Sequence, residues 1–381
     1  MSQIGKKERE TQNRVIELFQ QQLGYRYLGN WEERDFNSNI EEEILTEYLT
    51  KRGYSENLIT KTIYKLRKVA DDQSKKLYYV NKEFYPLLRY GVNVQSEIGQ
   101  NKETVWVIDW ENPLENDFAI AEEVTVKGVH TKRPDIVLYV NGIALGVLEL
   151  KRSTVSISEG IRQNLDNQKH IFIKQFFSTV QFIMAGNDIE GLAYGAVETK
   201  EKYFWKWKEV DPERNKNDIH LLQITKTSRE KASKEIYTKN KNIIEMLNKE
   251  RFLELLHDFI VYDRGIKKLC RHNQYFGVKA SQDFIRRREG GIIWHTQGSG
   301  KSLTMVWLTK WIRENVDNSR VLIITDREEL DDQIEKVYKG ISEQIYRTKS
   351  GKDLIEKLNN NSPWLICSLV HKFKGKEEGD V

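Results

Sequence analysis

Residues 133–152, with the sequence RPDIVLYVNGIALGVLELKR, impose the tightest constraint on how this chain folds. Two almost uninterrupted apolar runs flank Asn141-Gly142, a dipeptide that favours the left-handed backbone conformations of a two-residue β-turn. The pattern predicts a hairpin in which the strand that begins at Asp135 lies beside the strand that carries Glu149 near its end. Glu149 and Lys151 are two positions apart and therefore share one face of their strand. The fold has to accommodate this hairpin and its charged end.

The charged end of the hairpin has the composition of a metal-dependent nuclease site. Metal-assisted phosphodiester cleavage needs carboxylates that converge on Mg²⁺ and a nearby cation that stabilises the attacking water and the developing charge. Asp135 and Glu149 supply the carboxylates, and Lys151 supplies the cation. The alternative is a surface hairpin with solvated charges, since these residue types are common on exposed strands. Charges that end an apolar strand cost free energy unless they are needed there, which favours the metal site.

The pairing register of the hairpin tests this hypothesis. A regular two-residue turn at Asn141-Gly142 would pair Asp135 with Leu148 and leave Glu149 on the opposite face. One extra residue, as in a bulge at Gly142 or Gly146, would bring Asp135 and Glu149 directly opposite each other. We therefore predict such an irregularity, because a regular hairpin would remove the metal site.

A glycine-rich turn, HTQGSGKS at residues 295–302, has the features of a phosphate-binding loop. It lies between an apolar run at Gly291–Trp294, predicted to be a strand, and a helix-compatible segment that starts at Lys301. Glycines at such a turn allow backbone N–H groups and a helix N-terminus to approach a phosphate chain. The strict pattern has glycine where this chain has His295, and the alternative is a Gly-Ser turn before a surface helix. The strand, turn and helix context favours the nucleotide site.

The residues of this loop have distinct predicted roles in binding ATP. Gly298 and Gly300 supply the turn. Lys301 would reach the β and γ phosphates, and the Ser302 hydroxyl would ligate Mg²⁺. Upstream, the amide of Gln274 can pair with the N6 and N7 edge of adenine. The predicted ATP-binding residues are Gln274, Gly298, Ser299, Gly300, Lys301 and Ser302.

The length of the chain and its changes of periodicity predict an α/β protein with two domains. At 381 residues it exceeds what one hydrophobic core usually organises. Residues 1–225 mix helices with strands, residues 226–258 form a charged helical connector, and residues 259–381 alternate strands with helices, which indicates a parallel sheet. Helices are predicted at 1–25, 40–51, 55–70 with a cap at Ser55, and 153–176. Strands are predicted at 104–109, 118–126, 135–140, 143–150, 178–188, 202–210, 291–294, 320–326 and 364–369.

Cysteine usage, charge and hydropathy exclude several classes of protein. Cys270 and Cys367 are far apart and no CxxC pair occurs, so neither a disulfide framework nor a zinc site is encoded. The 61 basic and 57 acidic residues leave a net charge of +4, which permits a nucleic-acid partner without requiring one. No apolar run approaches the roughly 20 residues of a membrane span, and the polar N-terminus has no signal core. We therefore expect a cytoplasmic protein with no membrane partner.

Taken in chain order, these motifs resemble the restriction subunit of type I restriction-modification enzymes. Arg271 and Gln274, then GGIIWHTQGSGKSLTMVWL, then VLIITDREELDDQI are similar to the adenine-reading motif and the first two motor motifs of that family. The D…ExK arrangement at residues 135–151 resembles the PD-(D/E)xK nuclease core that precedes the motor. The residues that match the second motor stretch and a further DNA-facing motif are Asp326, Arg327, Gln333 and VHKF at 370–373.

The resemblance extends over essentially the whole chain and implies further site residues. The early segment ERETQNRVIELFQQQLGYRYLG is similar to the family's opening helix, whose acidic residue approaches the metal; Glu10 is the candidate and Glu8 the alternative. Gln163 occupies the position of the glutamine in a QxxxY element that supports the nuclease site. Asn167 stands where the family has tyrosine, and its amide can hydrogen-bond a phosphate or a carboxylate. The predicted catalytic residues are Asp135, Glu149, Lys151 and Gln163, and the predicted metal ligands are Asp135, Glu149 and Glu10.

The resemblance also implies an activity, cofactors and partners. It implies a Mg²⁺-dependent endonuclease domain for double-stranded DNA, followed by the first part of a RecA-like, ATP-dependent DNA translocase domain. It further implies modification and specificity subunits as partners. In motors of this class the nucleotide lies between two RecA-like domains, and we expect this chain, which has only the first part of one, to bind ATP weakly or not at all. Because no DExH-type segment occurs before Val381, we also expect negligible hydrolysis. A non-catalytic DNA-binding or assembly module is the alternative, and an unrelated stand-alone ATPase is disfavoured.

Two further patterns have simple structural alternatives. A set of basic residues could follow a DNA backbone, although a run of charges is usually a solvated face. A group of aromatic residues could stack on bases, although core packing on a strand explains it better. The basic set is Arg286, Arg287, Arg288, Lys267, Lys268 and Arg271, and the aromatic group is Tyr203, Phe204, Trp205 and Trp207.

Overall fold

The structure of the chain, a computed structural model, describes residues 3–97, 99–209, 240–340 and 344–373. It contains two compact units of mixed α/β composition. The first unit comprises residues 1–257 and 265–269, and the second comprises residues 258–264 and 270–381. Residues 226–239 of the predicted connector lie outside the described residues. Within the described part of the chain, no helix combines the length and the apolar character that crossing a membrane requires.

A seven-stranded mixed sheet is the centre of the first unit. Its spatial order is β1-β4-β5-β6-β7-β8-β9, in which β1 is parallel to β4, β6 is parallel to β7, and the other neighbours are antiparallel. Strands β4 to β8 are buried along their whole length, so both faces of the sheet are covered. Separately, β2 and β3 form an antiparallel pair. The strands are β1 (Arg26–Asn30), β2 (Val92–Gln95), β3 (Lys102–Val105), β4 (Phe118–Glu122), β5 (Ile136–Val140), β6 (Ile143–Leu150), β7 (Phe182–Asn187), β8 (Gly191–Gly195) and β9 (Trp205–Lys206).

Amphipathic helices cover this sheet. They are α1 (Gln3–Gln21), α2 (Glu42–Lys51), α3 (Glu56–Ala70), α4 (Leu77–Arg89), α5 (Ile157–Asn167) and α6 (Lys249–Asp258), with residues 240–247 helical before α6. The predicted cap of α3 is confirmed, because the Ser55 hydroxyl accepts the Leu58 N–H at 3.5 Å. The sequence analysis did not predict α4, which contains Pro86, a residue that disfavours helix interiors.

Several predicted elements are shorter in the structure. The strand predicted at 118–126 ends at Glu122, because Glu123 adopts a positive φ of 49° that breaks the extended conformation. The strands predicted at 104–109 and 202–210 retain only the short segments β3 and β9, and the helix predicted at 153–176 is reduced to α5. Within the aromatic group, Trp207 is buried and packs against Tyr194, in agreement with core packing, whereas Tyr203 is half-exposed.

The turn between β5 and β6 forms at Asn141-Gly142, as predicted. Both residues have positive φ, 52° and 81°, and the Asn141 amide is buried, where it donates to the Val107 carbonyl at 2.8 Å. A Cβ atom added at Gly142 would lie 2.7 Å from the Glu41 carbonyl oxygen and 2.9 Å from the Leu45 nitrogen. The turn is therefore clamped against the start of α2, and only glycine fits this position.

We expect Gly142→Ala to lower the free energy of unfolding by about 3 kcal/mol, because left-handed strain adds to a backbone clash. Gly53→Ala is the matched control: Gly53 also has a positive φ, of 83°, but an added Cβ meets nothing within 4 Å. The control should cost only about 1 kcal/mol. Urea denaturation of the two variants measures the difference, and equal losses would show that the close approach at Gly142 is unimportant.

The second unit contains a parallel sheet of three strands with helices between them, as predicted. The spatial order is β12-β14-β13. Two short strands, β10 (Ile260–Asp263) and β11 (Ile266–Leu269), lie where the chain passes between the units. The remaining elements are α7 (His272–Arg286), α8 (Lys301–Asn315), β12 (Val321–Thr325), α9 (Glu328–Gly340), β13 (Tyr346–Arg347), α10 (Gly351–Asn359) and β14 (Leu365–Leu369).

The prediction of a strand at Gly291–Trp294 is wrong. These residues have irregular backbone, and Ile292 and Trp294 are 90% and 91% exposed. A strand needs a neighbour to satisfy its backbone groups, and within the described residues no strand pairs with this segment. The segment is apolar, but an apolar segment forms a strand only where another strand can pair with it.

Candidate active site

A bulge in the hairpin brings the two predicted metal ligands together. Tyr139 pairs with Ala144 and Leu138 pairs with Gly146, so Leu145 is an extra residue in β6. The ladder continues to the pair formed by Ile136 and Leu148, and its next step places Asp135 opposite Glu149. The predicted irregularity is therefore confirmed.

The carboxyl groups of Asp135 and Glu149 form a hydrogen-bonded pair. Glu149 is fully buried in β6, and Asp135 is partly buried just before β5. The Leu150 backbone N–H donates to Oδ2 of Asp135 at 2.6 Å. Burial and the nearby charge of Asp135 raise the pKa of Glu149 well above its usual value, and burial also raises the pKa of Asp135. The two carboxyl groups therefore ionise less readily side by side than either would in water.

Lys151 lies beside this pair. Its positive charge lowers the pKa of both Asp135 and Glu149, against the larger effect of burial. The Lys151 backbone N–H donates to the Gly186 carbonyl at 2.8 Å, which continues the pairing of β6 with β7 beyond the end of the strand. The structure thus brings the predicted D…ExK residues to one end of the sheet.

Helix α5 supplies two amides to Glu149. Gln163 donates to Oε2 of Glu149 at 2.7 Å, and Asn167 donates to Oε1 at 3.4 Å. The two amides are four residues apart and so share one face of the helix. Gly160 allows this approach, since an added Cβ would lie 3.2 Å from the Ala185 Cβ. Asn167, where the resemblance implied a tyrosine, therefore contacts the same carboxyl group as Gln163.

Helix α1 runs along this end of the sheet. Arg9 donates to Glu122 at the end of β4, Gln12 donates to the Asp135 carbonyl at 3.2 Å, and Arg14 pairs with Asp188 just after β7. Glu10 is exposed, and among the described residues no hydrogen bond or ion pair joins it to the carboxyl pair. Its role as a metal ligand stays a prediction, and the Glu8 side chain lies outside the described residues.

Sequence reasoning missed two acidic residues, Glu122 and Glu123. The Glu123 N–H donates to the Asp135 carbonyl at 2.9 Å, and the charge of Glu123 adds to the effects that raise the pKa of both Asp135 and Glu149. Glu122 is buried, with one carboxylate oxygen that has no hydrogen-bond partner among the described residues. The signal that could have found them is the one used for Glu149: acidic residues at the end of an apolar strand.

The donor set of this site suits a divalent cation. Two adjacent carboxyl groups in a buried environment ionise together only at a large cost in free energy unless a positive charge compensates them. Mg²⁺ prefers carboxylate oxygens as its protein ligands, and Asp135 and Glu149 present these atoms together. A cation bound by both groups would compensate their negative charges.

The glycine-rich turn in the second unit is closed by hydrogen bonds. Gly298 and Gly300 have positive φ values of 75° and 87°, and α8 begins at the next residue, Lys301. The Lys301 ammonium donates to the carbonyls of His295 and Thr296 at 3.3 and 3.1 Å. The predicted turn and helix are present. The positive charge of the Lys301 side chain lies against carbonyl groups of the loop, at the N-terminus of α8. Ser302 is half-buried, and the buried Ser299 hydroxyl has no hydrogen-bond partner in the described part of the chain.

Gln274 is bound to this turn. Its Oε1 accepts the Arg271 N–H at 2.8 Å, and its Nε2 donates to the Gly300 carbonyl at 2.9 Å. A Cβ atom at Gly300 would lie only 2.3 Å from that Nε2. The structure therefore joins the predicted adenine-reading residue directly to the predicted phosphate loop.

The remaining predicted residues are mostly on the surface. Arg286 pairs with Asp283 and Arg287 with Glu289, at 2.9 and 3.0 Å. Lys267 is an exception, because it is buried and its ammonium donates to the side-chain amide oxygen of Asn81 at 2.9 Å. This burial argues against both a solvated face and contact with a DNA backbone at Lys267. The other exposed or half-buried positions are Arg288, Lys268, Arg271, Asp326, Arg327 and Val370–Phe373, whereas the Gln333 side chain lies outside the described residues.

Comparison with known proteins found two family models. The model described as "Type I restriction enzyme R protein N terminus" matches residues 5–202, and the model described as "SWI2/SNF2 ATPase" matches residues 273–381. Among curated proteins, the chain is 26% identical over 322 residues to the putative type I restriction enzyme MjaIXP endonuclease subunit of Methanocaldococcus jannaschii, covering 78% of this chain and 30% of that protein. It is 28% identical over 329 residues to the type I restriction enzyme HindI endonuclease subunit of Haemophilus influenzae, covering 78% and 29%. The chain thus matches less than a third of the length of these relatives.

Proposed function

Because this chain belongs to the family of the type I restriction enzyme R protein N terminus, we propose that its first unit is a Mg²⁺-dependent endonuclease of double-stranded DNA with a PD-(D/E)xK core. The observation that carries the proposal is the buried carboxyl pair of Asp135 and Glu149, set opposite each other by the bulge in β6 and flanked by Lys151. Such a pair costs folding free energy, which is consistent with a functional role.

Each residue of the site has a specific role in this proposal. Asp135 and Glu149 would hold Mg²⁺, which when bound would supply Lewis-acid stabilisation of the charge that develops on the phosphodiester. Lys151 stabilises the same charge and steadies the attacking water. Gln163 and Asn167 hold the Glu149 carboxyl group in one orientation through their amides.

We further propose that residues 259–381 are the first part of a RecA-like domain of an ATP-dependent DNA translocase. The parallel sheet with intervening helices and the loop at Gly298–Ser302 support this assignment. Gln274 then contributes to the nucleotide site by holding the loop as well as by contacting adenine. In this proposal residues 226–258 connect the nuclease to the motor, and the whole protein acts in the cytoplasm with modification and specificity subunits.

We expect the 381-residue chain to cleave supercoiled double-stranded plasmid DNA in the presence of Mg²⁺ and to lose this activity when EDTA removes the metal. Agarose gels that follow nicked and linear products measure the cleavage with Mg²⁺ and its loss in EDTA. In parallel, crystals soaked in Mn²⁺ should give an anomalous peak between Asp135 and Glu149. Cleavage that persists in EDTA, or a Mn²⁺ peak elsewhere with none at this pair, would contradict the proposal.

A further inference from the structure

We propose that Arg9 and Arg133 form a phosphate clamp beside the Asp135–Glu149 pair, and that this clamp binds backbone phosphates of DNA that flank the phosphodiester to be cut. In the free protein both arginines are held by Glu123. The inference rests on the nuclease function proposed above, and it adds substrate-binding residues on two segments that the D…ExK pattern does not include.

Glu123 is fixed at the edge of the carboxyl pair. Its backbone N–H donates to the Asp135 carbonyl at 2.9 Å, one step beyond the last pair of β4 and β5. Its φ of 49° is uncommon for a glutamate and places a strained residue next to the site, as is frequent where function constrains the backbone. The position of Glu123 therefore follows that of Asp135.

The two arginines contact different oxygens of the Glu123 carboxylate. Arg9 of α1 lies 3.6 Å from Oε1 of Glu123 and 3.0 Å from Oε1 of Glu122. Arg133, two residues before Asp135, donates through Nε to Oε2 of Glu123 at 2.7 Å and also pairs with Glu32. A segment from the start of the chain and the segment that leads into β5 thus converge on Glu123.

The arginine side chains are more exposed than the glutamates that they contact, as binding of a substrate from solution requires. The side chains of Glu122 and Glu123 are 4% and 14% exposed, whereas those of Arg9 and Arg133 are 43% and 45% exposed. The acids are inside and the guanidinium groups face solvent. A guanidinium has five N–H donors in a planar fork that matches a phosphate, so each arginine can stay bonded to a carboxylate and donate to a phosphate oxygen as well.

Electrostatics gives a reason for such a clamp. Glu122, Glu123, Asp135 and Glu149 place four carboxyl groups at one end of the sheet, where an approaching phosphate chain would be repelled. Lys151 is one compensating cation beside the reacting group. Arg9 and Arg133 add two cations on the solvent side, where they can attract the backbone before it reaches the acids.

Binding of the 381-residue chain to a short fluorescent DNA duplex tests the clamp, with EDTA present so that no cleavage occurs. We expect Arg9→Gln and Arg133→Gln each to weaken binding about tenfold, as one charge-assisted contact is lost. The slope of log K against log salt concentration should fall by about 0.9 for each contact. Arg133→Lys keeps the charge and should keep the slope; it also serves as the folded variant if Arg133→Gln does not fold.

Arg26→Gln is the matched control. Arg26 is 49% exposed and pairs with Asp117 at the opposite end of β4, so this variant loses the same charge and one ion pair away from the site. Its affinity and salt slope should equal those of the wild type. If Arg9→Gln and Arg133→Gln also match the wild type, the clamp is wrong, even if the wild type cleaves DNA. If these two variants bind weakly but the wild type never cleaves with Mg²⁺, the clamp stands and the proposed nuclease fails.

Discussion

Replacing Glu149 by glutamine is expected to lower the rate of Mg²⁺-dependent DNA cleavage about a thousandfold or more, because the amide cannot bind the cation as a carboxylate does. Asp135→Asn should have an effect of the same size, and so should Lys151→Ala through loss of charge stabilisation. The three residues act as one unit, so the double variant of Asp135 and Glu149 should be no slower than either single variant. Initial rates of plasmid cleavage at matched Mg²⁺ measure these losses.

Stability measurements separate this loss of activity from a loss of fold. Glutamine at position 149 can still hydrogen-bond Gln163, and it removes an ionisable group whose burial is costly. The urea midpoint of Glu149→Gln should therefore be equal to or higher than that of the wild type. Glu201→Gln, at a partly exposed glutamate paired with Arg162, is the control and should leave cleavage unchanged. Full cleavage by Glu149→Gln or Glu149→Ala would overturn the assignment of this site.

The second large effect is expected at the glycine-rich loop, where Lys301→Ala and Gly300→Ala should each weaken ATP binding. The Lys301→Ala variant would lose a charge-assisted contact to phosphate, which corresponds to about a ten- to hundredfold loss of affinity for ATP. Gly300→Ala should weaken binding at least as much, because its Cβ would lie 2.3 Å from Nε2 of Gln274 and its φ of 87° disfavours alanine. Isothermal titration of ATP with Mg²⁺ measures the affinities.

A glycine just upstream provides the control for the loop. An added Cβ at Gly290 meets nothing within 4 Å, and its φ is not in the left-handed region, so Gly290→Ala should bind ATP like the wild type. The contrast between the two alanine variants separates the local effects at Gly300, its contact with Gln274 and its positive φ, from a general effect of replacing a glycine. Equal ATP affinities for the wild type, Lys301→Ala and Gly300→Ala would show that this loop is not the nucleotide site.

The hairpin and its register were predictable from the sequence because both depend on local rules. Asn141-Gly142 specifies the turn, and the alternation of faces along a strand then leaves only one way, an added residue, to bring Asp135 opposite Glu149. The exact place of the extra residue, Leu145, was not predictable. The next residue, Gly146, lies close to neighbouring strands, since an added Cβ would be 3.2 Å from Met184 and 3.3 Å from Leu138, and such contacts cannot be read from the hairpin sequence alone.

Features that depend on long-range neighbours escaped prediction. The run at Gly291–Trp294 is as apolar as a true strand, yet pairing requires a second segment that local periodicity does not reveal. Glu122 and Glu123 join the site only because β4 lies antiparallel to β5, and this strand order cannot be read from either segment alone. The contact of Gln274 with Gly300 likewise joins residues that are 26 positions apart.

The bulge at Leu145 makes the site unusually sensitive to changes in chain length, as distinct from changes in side chain. Substitutions along β5 and β6 alter one contact at a time, whereas deletion of a single codon in this hairpin would shift Asp135 against Glu149 by one step and turn their side chains to opposite faces. During divergence of the gene, point changes in the hairpin can accumulate gradually, but in-frame insertions and deletions there should be eliminated. The number of residues between Asp135 and Glu149 therefore matters to the site as much as the identity of either residue.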